Sequence, residues 1–169
     1  VATIHATERG RGRGQLAGAQ AYAINDIEWQ LTYEAWRVIV CTEYMRQELA
    51  NYFQTPMDKI DIIPNGVNTE PFDALEGVDL SEFRSRYALP YEKIVFHVGR
   101  IVREKGIEVL IRSAPLVLAQ VPEAKFIIAG RGPELDAMRA LVSSLGLEHK
   151  VTMPGFISTE DRNRLFKVA

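Results

Sequence analysis

Two cations, Arg100 and Lys105, stand five positions apart in the segment Gly99–Gly106, where an apolar run ends on glycine and a helical pattern begins. Arginine can grip two oxygens of a phosphate, and lysine supplies a mobile point charge. The N-terminus of a helix adds unpaired N–H groups and a partial positive charge. The segment therefore predicts a site for a phosphate or diphosphate; the alternative is a pair of solvated loop charges.

Two further loops follow apolar runs in the same way. Gly130, Arg131 and Gly132 precede a proline, and the small residues there would let backbone approach a ligand closely, although a tight turn needs the same residues. No third glycine completes a dinucleotide fingerprint. Phe156 and Ile157 follow a third run, where a nucleobase could pack. Ligands of parallel sheets lie at the carboxyl ends of the strands, so the three loops together predict one shared site.

His5 closes the first apolar run of the chain. A histidine at the end of a strand could hydrogen-bond a substrate hydroxyl or act as an acid or base, but an isolated histidine is also common as a structural residue. Cys41 is placed inside a strand without a nearby base, so a catalytic thiol is not predicted. His97 is placed inside another strand and is expected in the core.

The segment Arg9-Gly-Arg-Gly-Arg-Gly14 is the only compositionally biased stretch. It could be a mobile solvated loop, a phosphate-contacting loop or an RNA-binding segment, although three arginines without interleaved aromatics are few for RNA. Three aromatic side chains at helical spacing, Trp29, Tyr33 and Trp36, are expected to pack rather than to form a carbohydrate platform.

Strand and helix patterns alternate along the chain. Strands are predicted over 1–5, 38–41, 59–63, 94–98, 124–129 and 150–153, and helices over 19–35, 43–53, 81–87, 106–119, 133–145 and from 159 onward, with an irregular polar loop over 6–18. Near-continuous apolar strands between helices predict an α/β fold with a parallel sheet and Rossmann-like βα units. The turn signal Asn65-Gly66 and the Asp-, Glu-, Gly- and Pro-rich stretch up to Pro90 mark a boundary between two units.

Composition excludes several classes of protein. The chain has 169 residues, which predicts one domain and a fraction at roughly 150 residues per domain. A hydrophobic content of 47% and a net charge of −2 disfavour a disordered tail and a strongly basic nucleic-acid binder. No apolar run reaches the roughly 18 residues of a membrane span. A single cysteine excludes an internal disulfide and fits a reducing compartment, so a cytoplasmic location is expected.

Six ordered motifs give the sequence a family resemblance. They are Gly99-Arg100 with Lys105-Gly106, which matches G-R-x-x-x-x-K-G, together with Ile63-Pro-Asn-Gly-Val67, Ile128-Ala-Gly-Arg-Gly-Pro-Glu134, Val151–Ile157, Ile4-His-Ala-Thr-Glu8 and Arg37-Val-Ile-Val-Cys-Thr42. In their order along the chain, these motifs resemble those of the retaining GT-B glycosyltransferases, specifically glycosyltransferase family 4 and its glycogen-synthase-like members. The resemblance covers essentially the whole chain.

The resemblance implies part of a two-domain GT-B enzyme. Residues 1–66 would be the end of the acceptor-side N-terminal domain, 67–90 the interdomain linker and 91–169 the first half of the nucleotide-sugar-binding C-terminal domain. Such an enzyme moves a sugar, here expected to be glucose, from a UDP-, ADP- or GDP-hexose to a glycan or glycoconjugate acceptor. It does so with retention of configuration and without a bound metal or other cofactor, and no nucleic-acid partner is expected.

The resemblance also assigns roles to single residues. Arg100 and Lys105 would hold the donor diphosphate and neutralise the leaving group. Backbone near Ile157 would meet the base, and His5 would face the cleft and contact the transferred sugar. The remaining donor-binding candidates are Gly99, Gly130, Arg131, Gly132 and Phe156.

The family's Glu-x7-Glu segment and its N-terminal glycine-rich loop would fall outside these residues. Both ends of the sequence interrupt a strand or helix pattern, so we expect a piece of a longer protein without transferase activity of its own. A non-catalytic nucleotide- or phosphate-binding α/β module is the alternative function, and an RNA-binding protein is a distant third.

Overall fold

The computed structural model describes all 169 residues and divides them into two units, Val1–Val67 and Asn68–Ala169. Each unit is built on its own three-stranded sheet, and every strand pairing in both sheets is parallel. The predicted α/β architecture with parallel sheets is therefore confirmed. No helix is both long and apolar enough to cross a bilayer.

The first unit carries a sheet in the order β1-β2-β3 with three helices. Its elements are β1 (Ala2–Ile4), α1 (Glu8–Arg11), α2 (Gly18–Glu34), β2 (Val38–Val40), α3 (Glu43–Phe53) and β3 (Ile60–Ile62), with a 3₁₀ turn at Met57–Lys59. Thr42 caps α3, which forms where the helix over 43–53 was predicted, because its hydroxyl accepts a hydrogen bond from the backbone N–H of Met45 at 3.1 Å. The core forms where Val38 and Val40 pack against Leu49.

The second unit carries a sheet in the order β4-β5-β6 with five helices. Its elements are α4 (Glu70–Asp73), α5 (Ser81–Ser85), β4 (Lys93–Val98), α6 (Ile107–Gln120), β5 (Ala124–Ala129), α7 (Leu135–Ser144), β6 (Val151–Gly155) and α8 (Thr159–Val168), with a 3₁₀ turn at Arg103–Lys105. Pro133 lies two residues ahead of α7 rather than in its first turn, because that helix begins at Leu135.

The central strand β5 explains why its sequence is continuously apolar. Successive strand residues point to opposite faces of a sheet. Phe126 and Ile128 pack with Ile111 of α6 on one face, whereas Ile127 packs with Leu165 of α8 on the other. Both faces of β5 are therefore covered by helices, so polar residues do not alternate with apolar ones along this strand.

Residues 68–90, nearly all of the segment predicted as the interdomain linker, group with the second unit. They contain α4 and also α5, which forms where the helix over 81–87 was predicted. Phe83 of α5 is buried and packs against Ile127 and Leu165. The high content of Asp, Glu, Gly and Pro in this segment gave no indication that Phe83 is buried.

Two local predictions in the first unit are wrong. The stretch 6–18 is not wholly irregular, because the Thr7 hydroxyl accepts from the N–H of Gly10 at 2.8 Å and starts the short helix α1. The three aromatics expected to pack are exposed, with Trp36 at 86%, and only Trp29 and Tyr33 stack on each other, at a centroid distance of 5.4 Å.

Candidate functional site

The loops that leave β4, β5 and β6 surround a pocket of about 320 Å³. It is lined by Val98, Gly99, Arg100, Gly130, Arg131, Phe156, Ile157, Ser158, Thr159 and Arg162. Six of the eight donor-site candidates are among these residues. The other two, Lys105 and Gly132, lie on the same loops but do not line the pocket.

Backbone hydrogen bonds fix these loops to one another. The N–H of Ile101 donates to the carbonyl oxygen of Arg131 at 2.9 Å, and the N–H of Gly130 donates to that of Gly155 at 2.7 Å. The N–H of Glu134 returns to the carbonyl of Ile101 at 3.3 Å. The N–H of Gly99 donates to the carbonyl oxygen of Ala129 at 3.1 Å, and Ile101 is fully buried, so the first loop is anchored on both sides of Arg100.

Two glycines are required by how closely the loops approach. A β-carbon on Gly130 would overlap the carbonyl oxygen of Gly99, and Gly130 also has a φ of 145°. A β-carbon on Gly132 would overlap the carbonyl oxygen of Ile101. Only glycine satisfies these contacts without moving backbone. The loop is therefore more constrained than the ordinary tight turn that its sequence also fits.

The predicted cations remain available to an anion. The side chain of Arg100 is 73% exposed and its only ion pair is with Glu104, at 3.3 Å. Lys105 is exposed at the end of the 3₁₀ turn. Gly106 adopts a φ of 67° and starts α6 without any side-chain cap, so the first N–H groups of that helix can receive an anion.

The aromatic side of the pocket is formed by Phe156. Phe156 is 68% exposed, and the guanidinium carbon of Arg131 lies 5.3 Å from the centroid of its ring. A cation held over an aromatic ring is attracted by the negative face of that ring. The pair presents flat surface of the kind on which a nucleobase stacks.

Arg162, with Ser158 and Thr159, lines the pocket and was missed by the sequence reasoning. The Ser158 hydroxyl caps α8 by accepting from the N–H of Asp161 at 3.0 Å, so the first turn of this helix opens on the same edge as α6. The guanidinium of Arg162 donates to the Asn163 side chain at 3.1 Å. Arg162 could have been predicted from the sequence, because the helix predicted from residue 159 begins directly after the loop that follows the third of these strands, and helix N-termini bind anions.

His97 is only half-buried, which differs from the core position expected for it. Its Nε2 atom is nonetheless buried and has no hydrogen-bond partner. Burial and the positive charge of Lys105 hold the pKa of His97 below its usual value of 6.5. His97 is therefore neutral at neutral pH and adds no charge beside the predicted anion site.

In the first unit, the structure brings His5 to Cys41. The register pairs Ile4 with Val40, so the two residues that follow lie side by side at the carboxyl edge of the sheet. The His5 Nδ1 atom lies 3.3 Å from the Cys41 sulfur. The expectation that Cys41 lies inside a strand without a nearby base is therefore wrong.

The loop after His5 is held by a buried carboxylate. The Thr7 hydroxyl donates to Glu48 of α3, and both side chains are buried. A β-carbon on Gly10 would lie 2.6 Å from the same carboxylate. The glycine therefore leaves the room that Glu48 needs to reach the loop.

The arginines of the biased segment are ordered rather than freely solvated. Arg11 pairs with Glu8 at 3.0 Å and with Glu28 at 3.7 Å. Arg9 lies over the ring of Tyr52, with its guanidinium carbon 5.0 Å from the centroid. Burial raises the pKa of Glu28, against the lowering effect of the Glu8 backbone N–H and Arg11. These contacts occupy two of the three arginines and weaken the interpretation of the segment as a nucleic-acid site.

Comparison with known proteins decides the family. Residues 81–169 match the family described as "Glycosyl transferases group 1". The chain belongs to this family. Residues 1–71 match "Glycosyltransferase Family 4", so each unit matches a glycosyltransferase family, and the resemblance seen in the sequence motifs is confirmed.

Curated glycosyltransferases match this chain over part of their own length. The "Uncharacterized glycosyltransferase MJ1607" of Methanocaldococcus jannaschii is 37% identical over all of this chain and 43% of its own. The glycogen synthase of Mycobacterium tuberculosis is 32% identical over 80% of this chain and 31% of its own. A GDP-mannose-dependent mannosyltransferase of the same organism is 30% identical over 73% and 32%. The chain spans less than half the length of these relatives.

Solved glycosyltransferase structures share the fold of this chain. WaaG, a glycosyltransferase involved in lipopolysaccharide biosynthesis, shares the fold at a TM-score of 0.75 and 15% identity, over 99% of this chain and 48% of its own. A mutant of S. aureus TarM, in complex with UDP and alpha-GlcNAc-glycerol, is 26% identical with a TM-score of 0.59, over 83% of this chain and 25% of its own.

Proposed function

We propose that this chain carries the donor-diphosphate site of a retaining hexosyltransferase, which transfers glucose from a nucleotide-sugar to a glycan or glycoconjugate acceptor. The observation that carries the proposal is the convergence of three strand-exit loops on one pocket in a group 1 family member. Six residues that the sequence motifs nominate line it together. The aromatic side of the pocket beside its cationic side favours a nucleotide ligand over phosphate alone, and the family match supports a transferase over a non-catalytic nucleotide-binding module.

Arg100 and Lys105 act on the diphosphate. Cleavage of the bond between sugar and phosphate leaves negative charge on the nucleoside diphosphate, and fixed cations stabilise that charge as it develops. Each charge-assisted hydrogen bond contributes about 1.5–3 kcal/mol. With the N-terminus of α6 these groups supply the neutralisation, so the proposed reaction uses no bound metal.

The base lies on the aromatic side of the same pocket. Phe156 offers a stacking surface, and backbone at Ile157 offers hydrogen-bonding groups to the edge of the base. Stacking on an aromatic side chain tolerates every base. The choice among UDP, ADP and GDP donors is therefore assigned to backbone hydrogen bonds rather than to Phe156.

His5 is assigned the contact with a hydroxyl of the transferred sugar. Glucose is proposed as that sugar because a glycogen synthase is among the relatives. The mannosyltransferase relative makes mannose the competing donor sugar. The TarM complex supports a uridine donor in the same way.

The test is a transfer assay with the whole protein that carries this chain. UDP-, ADP- and GDP-glucose and GDP-mannose are supplied with a glucan acceptor, and the product's anomeric configuration is read by proton NMR. We expect acceptor-dependent release of a nucleoside diphosphate and an α-linked product. Binding of a nucleoside diphosphate without turnover of any donor would contradict the proposal and favour the non-catalytic module. An inverted product would overturn retention alone.

A further inference from the structure

Three polar side chains meet at the carboxyl edge of the first sheet, one from each strand exit. His5 follows β1, Cys41 follows β2 and Asn65 follows β3. The His5 Nδ1 atom and the Asn65 Oδ1 atom each lie 3.3 Å from the Cys41 sulfur. The sulfur is therefore the link between the other two side chains.

The sheet itself brings these residues together. The register pairs Ile4 with Val40, which sets His5 beside Cys41. The N–H of Ile63 donates to the carbonyl of Val40 at 2.8 Å, so the β2–β3 ladder continues past the end of β3. This additional hydrogen bond places the turn that contains Asn65 next to the Cys41 sulfur. The contact is thus built by backbone pairing rather than by the chance approach of long side chains.

The hydrogens available to the three side chains decide which ring nitrogen of His5 carries no hydrogen. A thiol has one proton, and a carbonyl oxygen such as Asn65 Oδ1 can only accept. The Cys41 thiol therefore donates to Asn65, and the sulfur can only accept from His5. Nδ1 must then carry the hydrogen. A neutral imidazole has a single N–H, so its Nε2 atom keeps a lone pair.

We propose that Cys41 is a positioning residue that holds His5 in its Nδ1–H tautomer, so that Nε2 accepts a hydrogen bond from a sugar hydroxyl. The inference rests on the proposed function for the role of His5, but the tautomer does not depend on that role. A residue that donates to one partner while accepting from another fixes the direction of both hydrogen bonds. Cysteine and serine can do this, whereas alanine cannot.

The tautomer is tested by ¹⁵N NMR of the histidine rings at about pH 8, where an ordinary histidine is neutral. The His5 signals are assigned by their loss in His5→Gln. We expect Nδ1–H in the wild type and in Cys41→Ser, and loss of this preference in Cys41→Ala. Asn65→Ala frees the thiol to donate to His5, so this variant should shift the proton to Nε2. Wild-type His5 with its hydrogen on Nε2 would overturn the proposal.

The effect of Cys41 on sugar transfer is tested by the kinetics of the whole enzyme. Loss of one orienting hydrogen bond should lower the kcat of Cys41→Ala about tenfold, with the donor KM changed less than about twofold. Cys41→Ser should stay within about twofold of the wild type. Equal kcat in all three proteins would overturn the positioning role, even if the tautomer changes. Absence of transfer by the wild type would contradict the proposed function, while the NMR result would still decide the tautomer.

Discussion

The guanidinium carbon of Arg131 lies 5.3 Å from the centre of the Phe156 ring, and the two residues come from the exits of neighbouring parallel strands. Arg131 follows β5 and Phe156 follows β6. Their contact joins a charged loop to an aromatic one at the edge of the sheet. A phosphate and a base linked by ribose need such a pair of surfaces close together.

Phe156→Ala should weaken binding of a nucleoside diphosphate by about five- to a hundredfold, because stacking on one aromatic side chain contributes about 1–3 kcal/mol. Titration calorimetry with UDP, ADP and GDP measures the change. Tyr91→Ala is the matched control, since Tyr91 is equally exposed, at 68%, but does not line the pocket. Equal losses in the two variants would refute a stacking role for Phe156.

Arg162→Ala tests the pocket residue that the sequence did not reveal. Its guanidinium adds positive charge to the pocket, so the variant should bind a nucleoside diphosphate about three- to tenfold more weakly and lose some of the salt dependence of binding. Arg112→Ala on α6 is the control, because Arg112 is exposed and pairs only with Glu108. Unchanged affinity in Arg162→Ala would remove this residue from the site.

Gly132→Ala should lower the free energy of unfolding by about 1–3 kcal/mol, because the new β-carbon overlaps the carbonyl of Ile101 and must push backbone aside. Urea denaturation measures the change. Gly66→Ala meets nothing within 4 Å and should shift stability by less than about 0.5 kcal/mol. A Gly132 variant as stable as the Gly66 variant would show that the loops are not held as tightly as described.

The pKa of His97 lies below 6.5 in the folded state, because of burial and Lys105. Below pH 6.5 the unfolded chain takes up a proton that the folded chain resists, so stability falls as pH drops from 6.5 through the folded pKa. The free energy of unfolding should decrease less between pH 7.5 and 5 in His97→Asn than in the wild type. His149→Gln, at an exposed histidine, should behave as the wild type does. The same pH dependence in all three proteins would contradict the buried, unpartnered His97.

The sequence was sufficient for elements with strong local signals. The apolar runs predicted as strands over 94–98, 124–129 and 150–153 are local features, and the structure has β4, β5 and β6 at these positions. Phe83 shows the limit of such signals. A single buried ring in a polar segment has no periodicity, and only tertiary packing reveals it.

Some residues of the candidate sites could likewise be predicted from the sequence, and others could not. Because parallel strands end at one edge, the glycines and arginines at their exits could be assigned to one site from their order alone. The link between His5 and Cys41 depends on which strands are neighbours and in which register, and neither can be read from 35 intervening residues. Arg162 was missed because it follows a helix start and matches no motif.

The donor-diphosphate site is tested by the affinity of the whole protein for a nucleoside diphosphate, measured by calorimetry for the wild type, Arg100→Ala and Arg103→Ala. Arg103 lies on the same loop, is exposed and has no ion pair, so it controls for general loss of positive charge. If Arg100 holds the diphosphate, its variant should bind about ten- to a hundredfold more weakly while Arg103→Ala stays within about threefold. Equal affinity of Arg100→Ala and wild type would contradict the assignment of the donor-diphosphate site.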